Sequence, residues 1–312
     1  MKIELNPADY IQPLNMNGLA GRMLHMPAPK NKSRELLVIY GHHALLERWW
    51  GLMLNFNDFG AVTMPDLPGF GGMDSFYTIG RKPTLDNYAD YMAAFVKMHY
   101  KHRRVTIVGI SFGFLIATRM LQRYPELTKK VDVLISAVGF MHKSDFTFNK
   151  TRMLLYRRMA GLIATPPAPL IFRYSALNPR LLKLVYAKTF NAKHKFAEAA
   201  DDPELFNSLM DMEVKLWHSN DVKTHMRTTV EMLTVDNIKK PIDLVVWHVS
   251  SKNDHYFNNQ IVEQHMRAVF KDYIGAPINL KTHAPSVMAD KKSAAIMIPP
   301  KLRRLLNKST QK

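Results

Sequence analysis

Gly109-Ile110-Ser111-Phe112-Gly113 is the stretch of this 312-residue chain that decides its fold. The apolar run before it, residues 105–108, predicts a buried strand, and the apolar run after it, residues 114–121, predicts a helix. A Gly-x-Ser-x-Gly sequence between a strand and a helix is typical of the nucleophile elbow, a tight turn that presents the serine. The glycines are expected because a Cβ there would collide with the neighbouring strand or helix. Ser111 is therefore the candidate nucleophile, and a glycine-rich turn with a solvated serine is the alternative.

The composition indicates a folded protein without cysteine chemistry. Hydrophobic residues make up 47% of the chain and aromatic residues 10%, which excludes an intrinsically disordered protein. The chain has no cysteine, so disulfides, thiolate metal sites and a cysteine nucleophile are excluded. Its first residues lack the apolar segment of a signal peptide, and the apolar stretch 160–172 is too short and proline-rich to cross a membrane. We therefore expect a cytoplasmic protein.

The net charge of +17 is unevenly distributed along the chain. Residues 141–200 contain 11 Lys and Arg against two acidic residues, and residues 301–312 add five basic residues and no acidic one. Such a patch can bind nucleic acid, an anionic membrane or an anionic substrate, although a solvated surface is the simpler interpretation. The sequence has no zinc-finger or RNA-recognition motif, so no nucleic-acid partner is expected. Weak association with an anionic membrane surface remains open, with residues 153–156 and 170–172 as apolar contacts.

Short apolar runs alternate with helical stretches, which predicts a mostly parallel β-sheet with helices on both faces. The predicted strands are residues 36–40, 61–64, 105–108, 131–136, 244–249 and 278–281, with a weaker antiparallel pair near 10–14 and 22–25. Between about 141 and 230 the pattern predicts amphipathic helices interrupted by prolines, and no strand. We therefore divide the chain into a first core part (1–140), a helical cap (141–230) and a second core part (231–312).

A serine nucleophile needs a base, and the base needs an acid that orients it. In this architecture the acid and then the histidine follow late strands of the sheet. Asp254 follows the predicted strand 244–249, and His283 follows the predicted strand 278–281. Active-site groups of open α/β sheets gather at the carboxyl ends of the strands. The order therefore predicts Asp254 as the orienting acid and His283 as the base.

Each of these two partners also has a simpler interpretation. Asp254 could cap the helix predicted near 257–270, because Asp is a favourable N-cap residue. A single histidine among 13 is more often a surface or core residue than a base. Asp236, Asp243 and Asp145 are weaker candidates for the acid. The positions of serine, acid and histidine after three of the predicted strands, in the expected order, favour the triad.

A tetrahedral intermediate needs N–H groups that bind its oxyanion. One donor is normally the backbone N–H of the residue after the nucleophile, here Phe112. The other is expected from the loop after strand 36–40, where Gly41 allows a close approach of the backbone and His42 N–H would donate. The pair of His42 and His43 could suggest a metal site. No acidic or cysteine side chain stands at ligand spacing, however, so no metal is expected.

Three further sequence features are familiar from one protein family. They are the turn Pro65-Asp66-Leu67-Pro68-Gly69-Phe70-Gly71, the pair Trp49-Trp50 after the oxyanion loop, and Asn220-Asp221-x-x-Thr224 at the end of the insertion. With the elbow, they resemble the α/β-hydrolase superfamily, in particular its capped serine hydrolases, over about residues 30–290. This resemblance implies an eight-stranded core, a Ser111/Asp254/His283 triad and no cofactor.

The chain departs from the pattern of that family at four positions. Tyr40 stands where many relatives have histidine, and Phe114 stands where a second glycine often follows the elbow. Thr282 replaces a glycine that often precedes the catalytic histidine, and Ser251 replaces a common glycine before the acid. None of these changes removes a triad atom, so the expected activity class is unaffected while the substrate class stays open.

These features together predict a serine hydrolase that cleaves a carboxylic ester or a related acyl bond through an acyl-enzyme. The expected partner is a small, hydrophobic substrate molecule. A carbon–carbon bond hydrolase with the same triad is one alternative, and a non-catalytic ligand-binding protein on the same fold is another. No feature of the sequence predicts an oligomeric state.

Overall fold

The computed structural model describes residues 5–188, 202–280, 282–284 and 290–308. Its centre is an eight-stranded sheet, and the strands are β1 (Ile11–Met16), β2 (Leu19–Met26), β3 (Arg34–Ile39), β4 (Gly60–Pro65), β5 (Val105–Ile110), β6 (Val131–Ala137), β7 (Ile242–Val249) and β8 (Phe270–Gly275). Their spatial order is β1-β2-β4-β3-β5-β6-β7-β8. The β1–β2 and β2–β4 pairs are antiparallel, whereas all pairs from β4 to β8 are parallel. The predicted fold class is confirmed.

The last strand is the one element that the sequence predicts wrongly. The prediction of residues 278–281 fails because Ile278 forms only an isolated bridge to Ser251, and Lys281 lies outside the described residues. The strand is β8, which follows the preceding helix without a loop. It lies at the edge of the sheet, and two of its side chains, Lys271 and Asp272, are exposed. An edge strand of this kind has no continuous apolar run to mark it.

The described helices pack against the sheet and against one another. They are α1 (Trp50–Asn57), α2 (Leu85–His99), α3 (Phe112–Arg123), α4 (Lys150–Ile163), α5 (Ala168–Tyr174), α6 (Pro179–Lys188), α7 (Pro203–Ser219), α8 (Val222–Thr234), α9 (Asn259–Val269), α10 (Lys291–Ala294) and α11 (Pro300–Asn307). α1 contacts α10, α2 contacts α3, and α9 contacts β8. Of the helices in the described ranges, none is long and apolar enough to cross a membrane.

The described part of the chain between β6 and β7 contains the helices α4 to α8, joined by loops and turns. These helices share a small apolar cluster of their own, in which Ala160, Leu177, Leu182, Val222 and Met226 are buried. The main core is separate and surrounds the sheet. The helical insertion therefore begins soon after β6 and ends before β7. The insertion thus follows the carboxyl end of β6, which is the edge of an α/β sheet where active-site groups gather.

Candidate active site

Ser111 occupies a strained turn between β5 and α3. Its backbone has φ 49° and ψ −112°, outside the regions that residues with a side chain normally adopt. The turn is held by hydrogen bonds from Ser111 N–H to Ala137 O (2.9 Å) and from Phe114 N–H to Ser111 O (3.0 Å). Such strain persists only where the surrounding structure enforces it, and here it accompanies a serine whose Oγ lies within reach of His283.

The two glycines of the turn are required by close backbone contacts. A Cβ at Gly113 would lie 2.0 Å from the carbonyl oxygen of Ile39 on β3. A Cβ at Gly109 would lie 2.5 Å from Cα of Phe114. Both distances are far inside van der Waals contact, so neither position can hold another residue without a shift of the backbone. The steric reason given by the sequence pattern is therefore present in the structure.

Ser111, His283 and Asp254 form a continuous chain of polar contacts. His283 Nε2 lies 3.2 Å from Ser111 Oγ, and His283 Nδ1 lies 2.6 Å from Asp254 Oδ2. The Asp254 side chain is 2% exposed and that of His283 is 15% exposed. The acid is therefore enclosed, while the imidazole remains reachable from the cavity beside the serine.

Asp254 is kept in its charged form by its neighbours. Burial alone would raise the pKa of this carboxyl, but the hydrogen bond and charge interaction with His283 act in the opposite direction. Asp254 Oδ1 also accepts the backbone N–H groups of Tyr256 (2.9 Å) and Phe257 (3.3 Å). The net result is a pKa below the usual range for Asp. These two contacts lie in the turn before α9, whose N-cap is Asn258, so the alternative that Asp254 caps that helix is wrong.

The three weaker acid candidates lie in other contacts. Asp145 is buried, with one oxygen 2.5 Å from His265 Nδ1 and the other accepting backbone N–H groups. Asp236 pairs with Lys239 at 2.9 Å. The Asp243 side chain is 82% exposed and lies near Lys271. None of these contacts involves Ser111 or His283.

The loop that carries His283 is fixed by two of the residues that depart from the family pattern. Ser251 Oγ donates a hydrogen bond to the carbonyl oxygen of Thr282 at 2.9 Å. Thr282 Oγ1 in turn donates to Ala284 O at 2.6 Å. A glycine at either position would lack the hydroxyl, so these replacements add anchors to the histidine loop instead of disturbing it.

The other two departures also have partners in the structure. The Tyr40 hydroxyl donates to Asp66 Oδ1 (3.0 Å), and the Tyr40 hydroxyl oxygen accepts Leu67 N–H (2.7 Å). Phe114 is fully buried beside Gly139, where a Cβ would lie 2.6 Å from the Phe114 ring. Tyr40 thus fixes the start of the loop before Gly41, and the space for Phe114 comes from a glycine elsewhere in the chain.

The candidate oxyanion loop lies against the elbow. A Cβ at Gly41 would lie 3.2 Å from Ile110 O and 3.4 Å from Ser111 Cβ, so this loop passes close to the serine. Phe112 is the first residue of α3, and the N–H of a first helical residue has no acceptor within its helix. The loop N–H of His42 and the helix N–H of Phe112 thus come from the two segments that adjoin Ser111.

The helical insertion contacts this loop through the side chains of His42 and His43. His42 Nε2 lies 2.9 Å from Thr228 Oγ1 and 3.2 Å from His225 O, both on α8. Burial and the neighbouring His43 lower the pKa of His42 to about 3, despite the carbonyl contact, so its ring is neutral. His43 Nε2 lies 3.1 Å from Glu213 Oε1 on α7. Neither ring is held as a metal ligand, and the described residues contain no group of three or more His, Asp or Glu able to hold a metal ion.

A cavity of about 440 Å³ opens beside Ser111. This volume is within the range of small-molecule sites. Its apolar wall is largely aromatic and includes Phe140, Phe146, Phe148, Tyr156, Tyr256 and Phe257. The other wall is more polar and includes His43, Arg48, Glu213, Trp217, His225 and Thr229. The insertion contributes Tyr156, Glu213, Trp217 and His225, so the cavity lies between the sheet edge and the inserted helices.

Sequence reasoning did not identify most of these lining residues. The aromatic pairs Phe146/Phe148 and Tyr256/Phe257 stand in short loops, where no periodicity assigns an orientation. Phe257 stacks on Phe140 with ring centroids 4.3 Å apart. A concentration of aromatic residues shortly after two sheet strands is the only sequence signal that would have pointed to them. Glu213 gave no signal, because a single acid in an amphipathic helix is usually solvated.

The sheet and the serine at its strand-to-helix turn define the α/β-hydrolase fold class. The sequence profile described as the alpha/beta hydrolase family matches residues 40–289, so the chain belongs to that family. The resemblance drawn from the motifs is thereby confirmed, and family membership makes the protein a hydrolase. No curated protein sequence matches the chain significantly.

Solved structures with the same fold include an esterase, a putative lipase and a lactonase. A thermophilic esterase from Thermogutta terrifontis has 14% identity and a TM-score of 0.62, covering 95% of this chain and 100% of that one. A putative lipase from Acinetobacter baumannii has 18% identity and a TM-score of 0.63, covering 96% and 92%. The enol-lactonase from Burkholderia xenovorans has 11% identity and a TM-score of 0.61, covering 95% and 99%. At these identities the likeness shows a common fold.

Proposed function

We propose that this protein is a serine hydrolase that cleaves hydrophobic carboxylic esters. The observation that carries the proposal is the chain from Ser111 Oγ through His283 to Asp254, with contacts of 3.2 and 2.6 Å beside an aromatic cavity. This order of nucleophile, base and orienting acid is the arrangement needed for acyl transfer. The esterase, the putative lipase and the lactonase among structures of the same fold are compatible with it.

In the first half of the reaction, Ser111 Oγ attacks the ester carbonyl carbon and its proton passes to His283 Nε2. The backbone N–H groups of His42 and Phe112 bind the oxyanion of the tetrahedral intermediate. The carbon–oxygen bond to the alcohol then breaks, and the departing alkoxide takes the proton from His283. The products of this half are the free alcohol and an acyl group esterified to Ser111.

In the second half, water attacks the acyl carbonyl and gives its proton to His283, which returns it to Ser111 Oγ as the acid leaves. Asp254 accepts Nδ1–H throughout, which fixes the tautomer that leaves Nε2 free to accept a proton. Because its pKa lies below the usual range, Asp254 is ionised whenever His283 becomes charged, and the ion pair stabilises the imidazolium.

The helical insertion acts in this proposal as a cap over the serine. Tyr156 of α4 and Trp217 of α7 line the same cavity as Ser111. The cap also contacts the oxyanion loop through Thr228 and Glu213. Substrate selection and oxyanion-loop position therefore depend on the same inserted helices. The aromatic wall of the cavity favours an apolar acyl or alcohol group, because apolar surface gains free energy on leaving water.

The experiment that tests this function is hydrolysis of a panel of p-nitrophenyl esters by the wild type and by Asp254→Asn. We expect the wild type to release nitrophenol. Asp254→Asn should lower kcat on the order of 10³- to 10⁴-fold, because asparagine presents the wrong partner to His283 Nδ1. The matched control is Asp243→Asn, which changes an exposed carboxyl on β7 and should leave the rate unchanged.

Two outcomes would contradict the proposal. Turnover of a vinylogous diketone with no ester hydrolysis would indicate the carbon–carbon bond alternative. An active Asp254→Asn enzyme together with an inactive Asp145→Asn enzyme would show that the orienting acid is wrongly assigned.

On the acid side of the pH profile, kcat/KM should depend on the binding of a single proton. Only a neutral His283 can accept the Ser111 proton, so kcat/KM should be full at higher pH and fall as the pH drops. Asp254 stays ionised across this limb because its pKa is lowered, and His42, with a pKa of about 3, stays neutral. A plot of log kcat/KM against pH is therefore expected to have an acid-limb slope of about 1. A slope near 2, or activity that rises on acidification, would show that another group titrates in the mechanism.

A further inference from the structure

The inserted helices carry an unusual number of exposed apolar side chains. Of the 14 large apolar residues that are exposed in the described part of the chain, nine lie between residues 154 and 184. The most exposed are Leu162 of α4 (71%), Leu170 of α5 (62%) and Tyr174 of α5 (78%). Single exposed apolar residues need no explanation, but a concentration of this kind marks an interaction surface.

These side chains do not belong to the faces that pack the insertion together. On α4, Leu155, Met159 and Leu162 are spaced i, i+4 and i+7 and so share one face, whereas Ala160 on the other side is buried in the insertion's own cluster. The helix α4 is therefore apolar on two faces. Since packing within the protein accounts for only one of them, the outer face is suited to a second apolar environment.

The same pattern holds on α5, which contacts α4. Phe172 packs against the insertion's cluster, while Leu170, Ile171 and Tyr174 are exposed. α6 adds exposed Leu181 and Leu184. We call the outward residues of α4 to α6 the apolar surface; its members are Leu154, Leu155, Met159, Leu162, Leu170, Ile171, Tyr174, Leu181 and Leu184.

The charge along α4 to α6 themselves has one sign. From residue 150 to residue 188 the sequence has eight Lys and Arg and no Asp or Glu. Among them, Arg157, Arg158 and Arg180 are exposed. Arg158 adjoins the stripe of Leu155 and Met159 on α4. Helices with apolar residues on one face and basic residues beside them bind at the interface of anionic bilayers.

We propose that the apolar surface docks this hydrolase on an anionic lipid membrane. The apolar side chains would enter the headgroup and acyl boundary, and the surrounding Lys and Arg would contact the lipid phosphates. A second protein copy would have to offer acidic residues to this surface, whereas the same surface on a copy is itself basic. Charge complementarity therefore favours the lipid. Because the insertion also lines the cavity beside Ser111, docking would bring the cavity close to membrane-borne substrate.

Co-sedimentation of the full chain with vesicles tests the proposal. We expect binding to vesicles of phosphatidylcholine mixed with phosphatidylserine, and weaker binding to phosphatidylcholine alone. The double variant Leu162→Ser/Leu170→Ser should lower the partition coefficient on the order of tenfold, because binding scales with the apolar area buried. Raising the salt from about 0.1 M to about 1 M shortens the Debye length from about 10 Å to about 3 Å, and should also weaken binding.

Met98→Ser is the matched control, since Met98 is an exposed apolar residue of α2, outside the insertion, and its loss should leave binding unchanged. Hydrolysis of a soluble ester by the double variant should stay at the wild-type rate, which separates docking from the proposed catalysis. Failure of the wild type to bind anionic vesicles at low salt would overturn the proposal. So would wild-type binding by the double variant, or a solution dimer that Leu162→Ser dissociates.

Discussion

Replacing Ser111 with alanine should lower kcat on the order of 10³-fold or more, with little change in KM. The expectation follows from the position of Ser111 Oγ, 3.2 Å from His283 Nε2, with both residues lining the cavity. Alanine removes the attacking oxygen but leaves the lining residues in place, so substrate binding should persist. Steady-state kinetics on a p-nitrophenyl ester, together with a far-ultraviolet circular dichroism spectrum, measure the rate and the fold.

Two further variants sharpen this test. Ser144→Ala removes an exposed serine hydroxyl that contacts His142, and should have wild-type activity. The kcat of the double variant Ser111→Ala/His283→Ala should be close to that of the slower single variant, because the two residues act as one unit. A rate for Ser111→Ala within about tenfold of the wild type would contradict the proposed nucleophile.

Replacing Gly113 with alanine should destabilise the protein by about 3 kcal/mol or more. The new Cβ would lie 2.0 Å from the carbonyl oxygen of Ile39 and 2.6 Å from that of Tyr40. Both contacts are to backbone, so relief requires α3 to move away from β3 in the centre of the sheet. The free energy of unfolding, measured by urea denaturation, gives the effect directly.

Gly161→Ala is the matched control for that measurement. Gly161 lies in the interior of α4, where a Cβ would have no atom within 4 Å. Alanine there should be neutral or stabilise the protein by about 0.5–1 kcal/mol, because it lowers the conformational entropy of the unfolded chain. If Gly113→Ala were as stable as Gly161→Ala, the elbow would not pack against β3 as described.

The parts of the fold that the sequence predicts best are those with strong local constraints. β5 and α3 are recognisable because a buried central strand is continuously apolar and the turn after it demands glycine at two positions. β8 is not recognisable because it is an edge strand with two consecutive exposed charged residues, Lys271 and Asp272. The prediction of His283 rested on the wrongly placed strand 278–281, but its reasoning still applies, since the residue follows the last strand in either assignment.

The candidate site likewise has residues that the sequence predicts and residues that it does not. Ser111, Asp254 and His283 follow strands in a fixed chain order, so position along the sequence implies proximity in space. The contact between Glu213 and His43 joins residues that are 170 positions apart in the chain. The aromatic wall also joins distant segments, because Phe257 stacks on Phe140. No local pattern encodes such a contact, because it depends on how the inserted helices pack over the sheet. The contacts between the cap and the oxyanion loop could therefore be identified only from the structure.

Labelling with a fluorophosphonate probe tests the central claim most directly, because the probe reacts only with a serine that is activated by a base. The native protein should incorporate one phosphonyl group, and mass spectrometry of the digested product should place it on Ser111. Ser111→Ala should incorporate none under the same conditions. Stoichiometric labelling of a different serine, or unchanged labelling of Ser111→Ala, would contradict the account.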